Sequence, residues 1–205
     1  QNTCRYFSKK KFKINNFIFA SSVYVYSNNT LLFKEIETCK PNNFYGKSKL
    51  YSEEMILKTF NKKNLTNVFI LRLFTVYGQN MHKNQFVYDL QRKFFAFKNP
   101  VFFSENVFRN FIYVSDVLDI IYILLKQKKY KIIKEKFNIA NKTSHSIGQI
   151  VKIFANKIKF NKTYTFKNNH VNDHNRSHFA SIVKIKKYFG WEPKISIEKG
   201  IGKVI

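Results

Sequence analysis

Tyr45 and Lys49 stand four residues apart in the stretch Asn42-Asn43-Phe44-Tyr45-Gly46-Lys47-Ser48-Lys49. On a helix, side chains at this spacing share a face, so a phenol and an ammonium would point the same way. A free phenol has a pKa of about 10 and is a poor base at neutral pH. A neighbouring cation favours the phenolate and lowers that value, which makes the pair a candidate general base or acid near neutrality. Spacing alone does not select this pair. Tyr6/Lys10, Tyr122/Lys126 and Tyr130/Lys134 share it, and about two such pairs are expected by chance among so many lysines.

Context selects Tyr45. Upstream lies Phe17-Ile18-Phe19-Ala20-Ser21-Ser22-Val23-Tyr24-Val25-Tyr26. Phe17 to Phe19 read as a buried strand, ending in small hydroxyl-bearing residues that permit close backbone approach. A strand, a loop over Thr30 to Pro41 and a helix capped by Asn42 or Asn43 and running to about Phe60 follow in order. Ligands of open α/β sheets sit beyond the carboxyl ends of the strands, where this arrangement would place Ser22 and Tyr45. The segment resembles the extended short-chain dehydrogenase/reductases, the NAD-dependent nucleotide-sugar epimerase/dehydratase family. There a Ser-Ser-x-x-Val-Tyr segment precedes Tyr-Gly-x-Ser-Lys by about this interval.

Further matches lie downstream in the family's order. Val68 to Phe74 read as a second buried strand, apolar except for Arg72, and lead into Thr75-Val76-Tyr77-Gly78. This is similar to the family's Leu-Arg-x-Phe-Asn-x-Tyr-Gly, with Thr75 in place of Asn. Arg109-Asn110-Phe111-Ile112-Tyr113-Val114-Ser115-Asp116-Val117 resembles Arg-Asp-Phe-x-Tyr-Val-x-Asp-Val, and the Asn110 departure is expected to loosen how that strand is anchored. Ser115 or Asp116 is expected to cap a helix to about Leu125, Lys126 to Lys136 to form a lysine-rich surface stretch, and Ser146 to cap a helix over Ile147 to Lys157. Gly190-Trp191-Glu192-Pro193 resembles the family's closing Gly-Trp-x-Pro. The resemblance implies roles. Tyr45 takes a proton from a sugar hydroxyl, Ser22 hydrogen-bonds the same oxygen and Lys49 holds the nicotinamide ribose. Phe74 sits by the nicotinamide, while Thr75 and Arg109 contact the nucleotide sugar, Arg109 through its diphosphate. A guanidinium suits that task because its forked donors match phosphate oxygens.

The implied fold is α/β: the C-terminal part of a doubly wound parallel-sheet, Rossmann-like domain plus a small mixed α/β substrate lobe. Residues 1–78, with strands and a helix from about 109–140 returning to them, are expected to form the second half of the NAD-binding domain. Residues 79–205 mainly form the nucleotide-sugar lobe. The six glycines include no Gly-x-x-Gly-x-x-Gly, the phosphate turn such folds carry after their first strand. By resemblance the chain corresponds to the last two thirds of the family's length. The expectation is a fragment of a longer protein, inactive by itself, or a remnant that keeps the fold without the activity.

Composition narrows the class. A net charge of +25 on 205 residues resembles a nucleic-acid signal. The excess is nearly all lysine, spread along the chain among Asn, Ile, Phe and Tyr, residues with AT-rich codons, so no nucleic-acid partner is expected. Cys4 and Cys39 are too few for a disulfide framework and suit a reducing cytoplasm. No run reaches the ~18 apolar residues of a membrane span. His170, His174 and His178 recur every four residues beside Asp173, but the segment is too rich in Asn and Asp for a confident helix, and no metal site is expected. His82 reads as a solvated loop histidine.

The preferred activity is NAD-dependent epimerisation of a nucleotide-activated sugar through a transient keto intermediate, with NADP an open alternative as cofactor. A homodimer is implied by the family. A reductase or dehydratase of the same family is the alternative, but a 4,6-dehydratase needs extra acid/base groups, and Val23-Tyr24 stand where the family places Asp-Glu. Thr75 resembles UDP-glucuronate 4-epimerases and Tyr45-Gly46-Lys47-Ser48-Lys49 resembles UDP-glucose 4-epimerases, so the sugar stays open.

Overall fold

The computed structural model describes residues 6, 14–26, 32–60, 66–127, 132–167 and 177–205. In chain order the elements begin with β1 (Asn16–Ser22), a 3-10 turn (Val23–Val25), β2 (Leu32–Phe33), α1 (Phe44–Thr59), β3 (Asn67–Leu73) and β4 (Thr75–Tyr77). Next come α2 (Phe86–Ala96), β5 (Val101–Phe103), β6 (Phe108–Arg109), β7 (Phe111–Tyr113), α3 (Val114–Leu125) and β8 (Lys134–Ile139). The chain closes with β9 (His145–Ser146), α4 (Ile147–Lys157), β10 (Thr165–Lys167), β11 (Phe179–Ala180), α5 (Val183–Phe189) and α6 (Ile197–Ile201).

Strands apolar on both faces are the mark of a parallel sheet covered on both sides. β1, β3 and β8 form such a sheet in the order β1-β3-β8, all parallel. Side chains alternate along a strand. Val68 and Ile70 therefore meet Ile56 of α1 on one face, while Phe69 and Leu71 meet Ile120 and Leu124 of α3, with Trp191, on the other. Arg72 has the parity of Val68 and Ile70 and so faces α1. The pairing sets Ser21 beside Arg72 and Ser22 beside Leu73, which brings both serines to the carboxyl end of the sheet.

A second core lies under α2, β5 and α4, where Leu90, Phe94, Phe102, Ile150 and Phe154 are buried together. Phe94 stacks on Phe154 with ring centroids 5.3 Å apart. Ser146 caps α4, as the sequence led us to expect, and the structure adds a capping box with Gln149. Gly190 ends α5 with φ of 64°, a left-handed conformation that glycine adopts without steric cost.

The structure departs from the sequence reading in four places. The Thr30 to Pro41 loop contains β2, which pairs in parallel with β11; two residues are too short a run to carry a pattern. The stretch Lys126 to Lys136, read as surface, already enters β8 at Lys134, whose ammonium burial pulls below the usual lysine range. Asp116 does not cap α3. The helix starts at Val114 with Tyr113 before it and no side-chain cap, and the buried Asp116 carboxylate accepts from the backbone N–H groups of Lys194 and Ile195, each at 3.1 Å. Asn110, finally, anchors its strand. Its Nδ2 donates to the carbonyl of Asn141 at 2.9 Å, and its Oδ1 accepts from the Asn141 N–H at 2.7 Å. A carboxylate has no hydrogen to donate, so the amide makes a two-way bond that Asp would not. Gln1 to Lys11, expected from the sequence to be the tail of a helix leading into the Phe17 strand, lie outside the described residues apart from Tyr6, which is helical.

Candidate active site

Asn43 caps α1 by accepting from the Gly46 N–H at 2.7 Å, which sets Tyr45 in the first helical turn and Lys49 in the next. Glycine at position 46 lets that first turn press onto the 3-10 turn. A Cβ there would meet the carbonyl oxygen of Tyr24, and would lie 2.8 Å from Pro41 Cβ. The close approach carries Tyr45 to the end of β1, where the rings of Tyr24 and Tyr45 meet edge to face with centroids 6.1 Å apart. Ser22, the last residue of β1, accepts from the Tyr24 N–H at 3.3 Å and so opens the turn.

Lys49 spans the gap between helix and strand. Its Nζ donates to the Ala20 carbonyl at 2.8 Å, 5.6 Å from the Tyr45 ring centroid and 5.1 Å from that of Phe19. Tyr45 stays 54% exposed, open to an incoming ligand.

One cavity of about 630 Å³ is lined by Ser22, Tyr45, Lys49, Phe74, Thr75 and Arg109, so all six candidate residues converge on it. Its size falls in the range of small-molecule sites. Phe74 is buried and packs against Phe33 with ring centroids 6.2 Å apart. Thr75 begins β4 and donates its N–H to the Asn110 carbonyl at 3.0 Å. Arg109 lines the cavity from β6, and its Nη1 donates to the Phe108 carbonyl at 3.0 Å. Burial lowers the Arg109 pKa, with Tyr24 acting in the opposite direction. The one carboxylate among the described lining residues, Asp89, is held by Arg92 at 2.7 Å and Lys93 at 3.2 Å.

Sequence reasoning missed the polar core beneath this floor. Glu53 and Arg72 form a fully buried ion pair at 2.8 Å, and Ser21 donates to the same carboxylate at 2.5 Å. The signal was present: an arginine in an otherwise apolar strand must find an anion if it is buried, and Glu53 lies four residues beyond Lys49 on α1. Tyr24 was missed as a lining residue as well. His82 accepts from the Asn84 N–H at 3.2 Å within its loop. His178 is buried against Phe33 and Tyr24. His170, Asp173 and His174 lie outside the described residues. Among the described residues no group of three or more His, Cys, Asp or Glu is arranged to hold a metal ion, and no helix is long and apolar enough to cross a membrane.

Known proteins resemble this chain along nearly its whole length. It is 27% identical over 199 residues to UDP-glucuronate 4-epimerase of Thermodesulfobacterium geofontis, covering 96% of this chain and 60% of the relative. It is 27% identical over 203 residues to the human dTDP-D-glucose 4,6-dehydratase, covering 94% and 56%. The chain thus spans about three fifths of the length of the curated relatives it matches. The fold is that of UDP-glucuronic acid 4-epimerase from Bacillus cereus, solved in complex with UDP-glucuronic acid and NAD. The TM-score is 0.83 and the identity 25%, over 94% of this chain and 61% of that one. The family model described as NAD dependent epimerase/dehydratase matches residues 2–140, and the chain belongs to that family.

Proposed function

We propose that the whole protein is an NAD-dependent epimerase of a nucleotide-activated sugar, acting in the cytoplasm. The observation that carries this reading is the convergence of a serine hydroxyl, a phenol, an ammonium and a guanidinium on one cavity at the carboxyl end of a parallel sheet. The 4-epimerase relatives support UDP-glucuronic acid as the first substrate to test and NAD before NADP as cofactor. Residues 1–78, with 109–140, would supply the cofactor side and 79–205 most of the sugar lobe. A homodimer is the proposed assembly, on family grounds.

The residues present fit the nicotinamide end of a dinucleotide, since Lys49, Ser22 and Phe74 all line the cavity and offer it an ammonium, a hydroxyl and an apolar ring. When bound, that cofactor accepts and returns a hydride. Tyr45 takes the proton of the sugar hydroxyl undergoing oxidation and gives it back on reduction. The Lys49 ammonium sets positive charge beside the phenol as it gains negative charge, the kind of fixed electrostatic support that lowers a barrier. Ser22 hydrogen-bonds the same sugar oxygen and holds it within reach of the phenol. Arg109 grips the diphosphate, fixing one end of the substrate while the keto sugar turns to offer its other face.

Dehydration fits these residues poorly. It requires removal of a C5 proton and expulsion of a hydroxyl, and Asp89, the one carboxylate among the described lining residues, is already paired with two cations. Incubating the whole protein with NAD and UDP-glucuronic acid, and following the sugar by proton NMR, separates the readings. Inversion at C4 with C6 unaltered supports the epimerase. A 4-keto-6-deoxy product from a dTDP-hexose, or NADH-dependent reduction of a keto sugar, would contradict it. No turnover and no NAD binding would favour a non-catalytic homologue.

A further inference from the structure

We propose that Glu53 and Ser21 position the reaction's residues: together they lock the Ser22 strand end to the Tyr45 helix. The proposal rests on the epimerase reading for its kinetic consequence, but its geometry stands apart from it. One carboxylate gathers three donors from two adjacent strands. Glu53 Oε1 accepts from Ser21 Oγ at 2.5 Å and from Arg72 Nε at 3.1 Å, and Oε2 accepts from Arg72 Nη2 at 2.8 Å. Glu53 and Arg72 are wholly buried and Ser21 is 3% exposed. The Arg72 guanidinium also lies over the Tyr26 ring, 4.7 Å from its centroid, and the Tyr26 hydroxyl donates to Asn138 Oδ1 of β8 at 2.6 Å. Burial alone works against the Arg72 charge; the hydrogen bonds to Glu53 oppose it, and the net effect raises the guanidinium pKa.

Its place in the fold sets this cluster apart from a stabilising pair. A buried ion pair is seldom more stable than well-packed apolar residues of the same volume, and the same α1–sheet interface is closed a turn later by Ile56 against Val68 and Ile70. What a charged cluster adds is direction, since each hydrogen bond fixes an angle as well as a distance. The cluster lies where direction matters for chemistry. Ser21 immediately precedes Ser22. Glu53 follows Lys49 by one helical turn, and Lys49 makes the other tie, to Ala20. Lysine's flexible stem gives a loose tie. The short Ser21 bond to a carboxylate held by a rigid guanidinium gives a stiff one. Two ties four residues apart fix both the rotation of α1 and its distance from the strand end. A misplacement near 1 Å is enough to cost a catalytic constellation about 100-fold.

Ser21→Ala and Ser21→Thr in the whole protein test this, because neither removes the ion pair. Ser21→Ala should lower kcat about 10-fold, leave KM for the nucleotide sugar within about 2-fold, and raise amide exchange at residues 20–24 about 10-fold over the rest of β1. Ser21→Thr, which keeps the hydroxyl, should recover most of the lost kcat. A purely structural role would lower the melting temperature of Ser21→Ala with kcat per folded molecule unchanged, and that result would overturn the proposal. Tyr45→Phe run alongside separates the two levels. If it turns over like the wild type, the epimerase reading fails and exchange at residues 20–24 alone decides the positioning. Unchanged exchange there in Ser21→Ala overturns the proposal.

Discussion

The Lys49 ammonium donates to the carbonyl oxygen of Ala20 at 2.8 Å, so the residue meant to assist Tyr45 also fastens the Tyr45 helix to the strand that ends in Ser22. One ammonium therefore carries both the charge and the tether. Lys49→Met keeps the stem and removes both. We expect turnover to fall by about 100-fold or more, the scale of losing a general acid–base element. The half-exposed site should keep the loss of stability near 1 kcal/mol, the net worth of one hydrogen bond. Steady-state kinetics and urea denaturation of the same preparation check both. A variant that loses stability but not turnover would reduce Lys49 to a strut.

Gly46→Ala should be destabilising although alanine is the better helix former by about 1 kcal/mol. The added Cβ would collide with the Tyr24 carbonyl and crowd Pro41, and forced overpacking costs about 1–3 kcal/mol. Because the collision pushes the helix start away from the 3-10 turn, turnover should drop with it. Chemical denaturation gives the first quantity and initial rates the second. An unchanged midpoint would mean that the two turns are not in contact.

How much of this was legible in the sequence differs from residue to residue. The strands around Phe17 and Val68, a cap at Asn42 or Asn43 and the Tyr45/Lys49 face could be read because apolar runs, capping side chains and helical spacing are local signals. Arg109 could be read only from its neighbours, by resemblance. The Ser21–Glu53–Arg72 cluster was not read, because its members are 32 and 19 residues apart along the chain and meet only when β1 and β3 pair in register. The roles of Asn110 and Asp116 were misjudged for the same reason: each bonds to backbone far along the chain, and a cap and a long-range anchor look alike when only adjacent residues are considered. β2 and β11 are too short to announce themselves.

Glu192 ties stability to pH. Hydrogen bonds from Lys142 and Lys186, both at 2.8 Å, hold its pKa at about 2, well below the ordinary value of 4.5. A folded-state value depressed in this way favours folding above the unfolded pKa, and the contribution is lost as pH falls from about 4.5 toward 2. The wild type should therefore be more stable than Glu192→Gln at pH 6, with the difference vanishing by pH 2. High salt should shrink it, since the group is open to solvent. Thermal melts across that range check the sign. A gap that widens toward low pH would contradict it.

Arg109→Ala should act on binding before chemistry. Removing a guanidinium that grips a diphosphate should raise the dissociation constant of the nucleotide sugar about 10–100-fold, the scale of a lost charge-assisted hydrogen bond, and should change the affinity for the free sugar little. Isothermal titration with UDP, UDP-glucuronic acid and glucuronic acid distinguishes these. An unaltered UDP affinity would take Arg109 out of the phosphate site.

The most direct test of the account is the turnover of Tyr45→Phe with NAD and the nucleotide sugar that the wild type epimerises, measured with the dissociation constant for that sugar. Loss of the one phenolic hydroxyl should lower turnover by about 100-fold or more while affinity stays within a few-fold, because the group acts on the proton and not on the diphosphate. Wild-type turnover in that variant would contradict the proposed chemistry, even with the fold and the family membership unchanged.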